Sequence, residues 1–151
     1  MKTTCGLFLI NKADELLCVH PTNHPIDVWS VPKGIVDEGE EYLDAAIRET
    51  YEETSILLNR DEHVFHSIEG TFVYLSGKKE LSAHFIFELQ NRELDFSKFN
   101  FKCQSFVDDS FDGFPEVDSF GWVHVSKTLD FIHKTQSQAL QDSIKLKKFW
   151  P

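Results

Sequence analysis

The chain has no apolar run approaching the roughly 20 residues that cross a bilayer, so no membrane partner is expected. Cysteine is sparse. Cys5, Cys18 and Cys103 are an odd count with no CxxC spacing, which argues against a disulfide framework or a structural zinc site and leaves them as small buried hydrophobes. Basic residues are in deficit, 15 Lys+Arg against 25 Asp+Glu, for a formal net charge of -10. That balance speaks against a broad cationic groove for duplex nucleic acid, whose affinity rests on phosphate contacts, while leaving room for a small nucleotide site. An acidic protein that handles polyphosphate needs metal ions between the two sets of negative charge. No repeat, low-complexity tract or Pro/Gly/Ser-rich linker divides the 151 residues, so a single domain over 1–151 is expected. The start, MKTTCGLFLINKADELL, lacks a long apolar core and a small-residue cleavage site. No signal peptide is expected, and a cytoplasmic location follows as the default.

What the chain does have is enough apolar mass for a core: 41% hydrophobic residues, with 14 phenylalanines. Residues 4–10 predict a strand, followed by a polar turn at 11–14 and a hairpin partner at 15–20. Residues 20–27, with two prolines and an asparagine, predict a loop; 28–31 predict a short strand that Pro32 stops. PKGIVDEGE (32–40) predicts a glycine-containing loop, and a helix is expected from about 41 to 54. Strands are expected within 64–75 and over 81–89, joined by a turn around Ser76–Lys79. Residues 91–115 predict a long loop, 120–125 a strand, 127–133 a short helix and 136–149 a terminal one. The pattern is α+β: an α/β/α sandwich with a mixed sheet, one acidic central helix and a C-terminal helix.

The informative segment is GIVDEGEEYLDAAIRETYEETSI, residues 34–56. On a helical wheel Leu43, Ala46, Ile47, Thr50 and Thr54 share one side, able to pack on a sheet. Glu49, Glu52 and Glu53 gather on the other, with Arg48 one turn before Glu52. Three carboxylates on one face repel each other. Arg48 offsets one charge; hard divalent cations with oxygen ligands, Mg²⁺ or Mn²⁺, offset more. A solvated acidic face is the ordinary reading of such a helix. The preceding Pro32-Lys33-Gly34 tilts the balance, because Gly34 allows close backbone approach and a carbonyl ligand, and Lys33 offers a point charge to a phosphate.

This segment resembles the Nudix box. Gly34, Glu40, Arg48, Glu49, Glu52, Glu53 and Ile56 fall on its spacing: Gly, five residues, Glu, seven residues, Arg-Glu, then Glu-Glu after two more. Thr50 stands where an aliphatic residue is usual and Ser55 where glycine is usual. Six fixed positions at background frequencies would coincide in about one such chain in 100,000. The resemblance implies a metal-dependent hydrolase of nucleoside diphosphates linked to another group. It implies Glu52 and Glu53 as ligands of Mg²⁺ or Mn²⁺, Glu49 as ligand, general base or both, Gly34 as a carbonyl ligand, Arg48 as the residue that orients a glutamate, and Glu40 as organiser of the loop. A second segment, PEVDSFGWV (115–123), is similar to one in asymmetrically cleaving dinucleoside polyphosphate hydrolases and RNA pyrophosphohydrolases. It implies Glu116 as an assisting carboxylate.

Stacking on a nucleobase needs an aromatic plane. By strand alternation Phe72/Tyr74 share a face, as do Phe85/Phe87; one pair could line a base pocket while the other packs the core. His20 and His24 lie in the loop before Trp29, within reach of a phosphate. Lys145, Lys147 and Lys148 form a basic terminal patch. The substrate expected first is a dinucleoside polyphosphate such as diadenosine tetraphosphate, then the 5′ end of RNA, then ADP-ribose or a nucleotide sugar. A nucleotide-sensing module without turnover ranks lower, because all three glutamates are kept. The small size and apolar content permit a monomer or a homodimer.

Overall fold

A computed structural model describes residues 1–107, 113–128 and 132–147, the last five by backbone alone. Strands β1 (Lys2–Ile10), β2 (Glu15–Pro21) and β3 (Lys33–Ile35) precede helix α1 (Tyr42–Thr54). Strands β4 (Phe65–Ser67), β5 (Phe72–Val73), β6 (Lys79–Phe87) and β7 (Val117–His124) follow, then α2 (Val125–Thr128) and α3 (Lys134–Lys147). The sheet runs β4-β6-β1-β2-β7, with β3 paired to β1 and β5 to β6. β1 and β6 are parallel over nine residue pairs, and the other strand pairs are antiparallel. The sheet is therefore mixed, as expected.

Both faces of the central strands are covered, which explains their nearly continuous apolar sequence. Phe8 and Ile10 of β1, with Leu81, Ala83, Phe85 and Phe87 of β6, pack toward Ala139 and Leu140 of α3. Cys5, Leu7 and Leu9 turn to the opposite face and meet Ala45 and Ala46 of α1. Alternation along the strand thus feeds two cores, the arrangement of an α/β/α sandwich. Among the described residues no helix is long and apolar enough to cross a membrane.

The β1–β2 hairpin opens beyond its turn. Only Ile10 and Leu16 are paired, and the strands then diverge around an inserted segment. Ser30 exchanges both backbone bonds with Val19 of β2, whereas Lys33, Gly34 and Ile35 pair with Gly6, Cys5 and Thr4 of β1. Two expectations are corrected here. Within 28–31 only Trp29 and Ser30 form isolated bridges, and no strand is present there; 33–35, expected in a loop, form β3. The physical reason is the open hairpin: the edge of β1 left by β2 needs partners for its backbone groups. Two smaller differences concern boundaries. The strand expected at 120–125 is Val117–His124, and the helix expected at 127–133 is observed as Val125–Thr128, with 129–131 outside the described residues. The turn expected at Ser76–Lys79 joins β5 to β6, with Gly77 at φ 70°.

The buried stripe of α1 is Ala45, Ala46, Thr50, Glu53 and Thr54. Leu43 and Ile47 are only partly covered, and Glu53, expected on the polar side, lies inside. On a wheel Glu53 falls about 20° from Ala46, so a small rotation of the helix over the sheet carries it into the covered face. The two departures from the usual box are accommodated locally. Thr50 is fully buried, and its hydroxyl donates to the Ala46 carbonyl at 2.8 Å. Ser55 ends the helix in the left-handed region at φ 68°, where glycine is favoured. Its hydroxyl compensates by donating to the Lys102 carbonyl at 2.6 Å and accepting from Gln104 at 2.7 Å.

Candidate active site

The carboxylates of α1 are organised around one guanidinium. Arg48 donates from Nε and Nη2 to both oxygens of Glu40, at 2.9 and 3.0 Å, a bidentate fork that lysine cannot make. Its Nη1 donates to Glu49 at 2.8 Å and reaches Glu52 at 3.2 Å. Nη2 also donates to the Ile35 carbonyl at 3.2 Å. Arg48 thus ties the loop before the helix to two glutamates on it, and the guanidinium beside Glu40 holds that carboxyl below its ordinary range.

Gly34 explains itself geometrically. A Cβ built there would lie 1.9 Å from Cδ of Glu49 and 2.2 and 2.3 Å from its oxygens. The Glu49 carboxyl therefore rests on the Gly34 backbone, and hydrogen is the one side chain that leaves it room. Burial, reinforced by the charges of Glu52 and Glu116, pushes Glu49 up to about 7 against the opposing pull of Arg48. Glu53 is 6% exposed and accepts a long 3.4 Å bond from the Lys33 backbone N–H. Burial and the neighbouring Glu49 push it upward too, and the Lys33 charge opposes this. Glu52 is the most open of the three.

A cleft of about 550 Å³ adjoins this cluster. Its lining includes Glu53, Lys33, Glu116 and Lys79 as well as Trp29, Tyr74 and His133, the last two with their rings 4.8 Å apart. The cleft lies along the opened hairpin, because Val19 of β2 and Thr4 of β1 face it from opposite sides of the gap. The structure therefore gathers the expected Lys33, Glu53 and Glu116 at one cleft, with Glu49 and Gly34 in contact just behind. Arg48 faces Glu40, Glu49 and Glu52 on the outer side.

The donor set suits a hard divalent cation in its chemistry: all oxygen, with a buried carboxylate whose charge is poorly compensated by a single long hydrogen bond. Among the described residues, however, no three acidic, imidazole or thiol groups are drawn together in an arrangement that could hold an ion as they stand. Arg48 holds Glu49 and Glu52, while Glu53 turns toward the Lys33 amide.

Of the aromatic candidates, Phe85 and Phe87 are core residues and Phe72 packs partly against them, while Tyr74 lines the cleft. Trp122, partly buried, packs against the core that faces the acidic helix and stacks on Phe96 at 5.5 Å. His24 lines the cleft. His20 does not: its ring is bound on both nitrogens, to Asp118 at 2.7 Å and to the Pro25 carbonyl at 3.0 Å. The three cysteines are free and buried, and burial pushes Cys5 and Cys18 up to about 11 and about 12. The lysine patch at 145, 147 and 148 lies outside the described side chains. Sequence reasoning missed the cleft roles of Trp29, Lys79, His133 and Gln136. No local pattern signals them, because the cleft is assembled from segments far apart in the chain.

The family model of the NUDIX domain matches residues 2–142. An RNA pyrophosphohydrolase of Pelagibacter ubique is 25% identical over 87% of this chain and 82% of its own. One from Cereibacter sphaeroides is 39% identical over 39% of this chain and 36% of its own. Among solved structures, a C. elegans Ap4A hydrolase in a binary complex superposes with a TM-score of 0.65 at 20% identity, covering 97% of this chain and 99% of that one. The E. coli dihydroneopterin triphosphate pyrophosphohydrolase gives 0.68 at 15% identity, over 93% and 92%. At such identities the structural likeness establishes the fold.

Proposed function

The chain belongs to the Nudix family and is a pyrophosphohydrolase, and from that premise we propose that it hydrolyses dinucleoside polyphosphates such as diadenosine tetraphosphate, by attack of water on phosphorus. The observation that carries the reading is the cleft, whose lining combines a charged set, Lys33, Glu53 and Glu116, with the aromatic Trp29 and Tyr74. Polyphosphate and base need those two environments side by side.

Glu49, Glu52, Glu53 and the Gly34 carbonyl would hold Mg²⁺ or Mn²⁺. Bound divalent ions supply charge neutralisation and Lewis-acid polarisation of the polyphosphate oxygens. The chain's own residues do the rest. Lys33 attracts a phosphate into the cleft. Glu49, raised toward neutrality by burial, is suited to take the proton of the attacking water. Arg48 keeps Glu49 and Glu52 aligned, and Glu116 assists from β7's approach to the cleft. Trp29 and Tyr74 present faces or edges to a base.

A second reading, removal of pyrophosphate from the triphosphorylated 5′ end of RNA, is supported by the names of the curated relatives. The cleft accepts the end of a strand, and the net charge of -10 disfavours a long RNA footprint. The test is phosphate release from diadenosine tetraphosphate, 5′-triphosphorylated RNA and ADP-ribose, each with Mg²⁺ and with chelator. Fastest turnover on the dinucleotide, abolished by chelator and by Glu52→Gln, is the expected result. Turnover of RNA alone selects the second reading. Binding without turnover of any substrate returns the chain to a sensing module, and full activity in Glu52→Gln removes the metal assignment.

A further inference from the structure

Gln136 stands in the first turn of α3 and is 1% exposed. Its carboxamide is bound to two other segments of the chain. The oxygen accepts the backbone N–H of Val31 at 3.1 Å. The nitrogen donates to the Ser30 hydroxyl at 3.1 Å and to the Tyr74 hydroxyl at 3.5 Å. Both N–H groups and the carbonyl are engaged within the protein, so Gln136 acts through its neighbours rather than on a ligand.

The Val31 bond falls where the inserted segment crosses the opened hairpin. Before it, Ser30 bonds to Val19 of β2; after it, the Pro32 carbonyl accepts from Leu7 of β1. Val31 is fully buried, and Gln136 provides the acceptor for its N–H at the crossing. A buried amide without an acceptor carries a desolvation penalty. On either side of this point stand Trp29 and Lys33, which line the cleft, and Tyr74 faces them from beyond β5.

Building on the nucleotide reading above, we propose that Gln136 is a positioning residue: it satisfies the crossing-point amide and tethers the Tyr74 hydroxyl, and so sets the spacing between the Trp29 and Tyr74 walls and the placement of Lys33. The polar atoms of Gln136 are taken up by Val31, Ser30 and Tyr74. Its loss therefore weakens substrate capture more than it slows the chemical step.

The experiment compares wild type, Gln136→Met, Tyr74→Phe and the double variant on diadenosine tetraphosphate with Mg²⁺, well below each melting temperature. Gln136→Met should raise KM about tenfold while kcat stays within about threefold, the consequence of one buried amide left unpaired. Because the two residues share a bond, the double variant should raise KM by less than the product of the single effects. A loss of kcat at constant KM, or strictly multiplicative effects, overturns the proposal in favour of a role in stability alone. Should Gln136→Met not fold, Tyr74→Phe removes the tether from its other end and has to raise KM, by about threefold. If wild type does not hydrolyse the dinucleotide, the substrate reading fails separately, and ATP binding by calorimetry decides this one: weaker binding in the variants supports it, equal binding refutes it.

Discussion

Gly34→Ala should leave the protein folded and remove most of its activity. The added methyl carbon would sit 1.9 Å from Cδ of Glu49, and non-bonded carbons rest at about 3.5–4.0 Å. The carboxyl must therefore retreat by roughly 1.6 Å or more. The atoms that move are the end of a flexible side chain. Gly34 is not among the positive-φ glycines, so alanine meets no backbone strain. The cost in stability is accordingly small, less than about 1 kcal/mol. Catalysis is less forgiving, because misplacing a catalytic group by about 1 Å costs on the order of a hundredfold in rate. The retreat also pulls Glu49 from its 2.8 Å bond with Arg48. A thermal melt paired with phosphate release from diadenosine tetraphosphate in Mg²⁺ reads both quantities. The expected pattern is a melting temperature within a few degrees of wild type and kcat lower by about a hundredfold. In a Glu49→Ala background, where nothing remains to collide, Gly34→Ala should have almost no further effect. A well-folded Gly34→Ala enzyme with wild-type kcat/KM would refute the reasoning, and an equal loss in the Glu49→Ala background would place the effect elsewhere.

Other outcomes follow from single contacts. Arg48→Lys keeps the charge but loses the two-point fork on Glu40, and activity should fall about tenfold or more with the fold retained, by circular dichroism and turnover. Ser55→Ala keeps the left-handed φ and loses both hydroxyl bonds, and should cost about 1–2 kcal/mol by denaturant titration; Ser55→Gly, free of the steric penalty, should recover roughly 1 kcal/mol of it. His84, 4% exposed between Ser67 and Ser82, is pushed by burial from 6.5 down to about 4. Its folded pKa is depressed, so its contribution is present above pH 6.5 and is lost as pH falls through about 4, a total of roughly 3 kcal/mol. His84→Gln should flatten the stability profile over that window, and an unchanged acid limb in chemical denaturation would show that other groups govern it.

The acidic helix was legible in the sequence because its information is local. A fixed rise and turn per residue bring Arg48, Glu49, Glu52 and Glu53 together whatever they pack on, and the central strands of a doubly covered sheet betray themselves by nearly continuous apolar runs. The pairing of Thr50 with its own helix was equally local. The sheet's opened hairpin was not, since whether β1 and β2 stay together depends on what the 30–35 segment offers each of them. That one event turned an expected loop into β3, brought Gly34 under Glu49 and created the cleft.

The linear order already held the chemical inventory: three glutamates and an arginine at helical spacing, a glycine and a lysine just ahead, and apolar strands enough for a sheet covered on both faces. Tertiary structure alone decided that Glu53 lies inside rather than on the polar face, that His20 is spent on Asp118 and Pro25, and that Trp29, Tyr74 and Gln136 meet across the cleft. The physical reason is separation along the chain. Contacts within a turn or two of helix follow from backbone geometry, whereas Gln136 reaches Val31 across 105 residues only after the whole sheet has chosen its register.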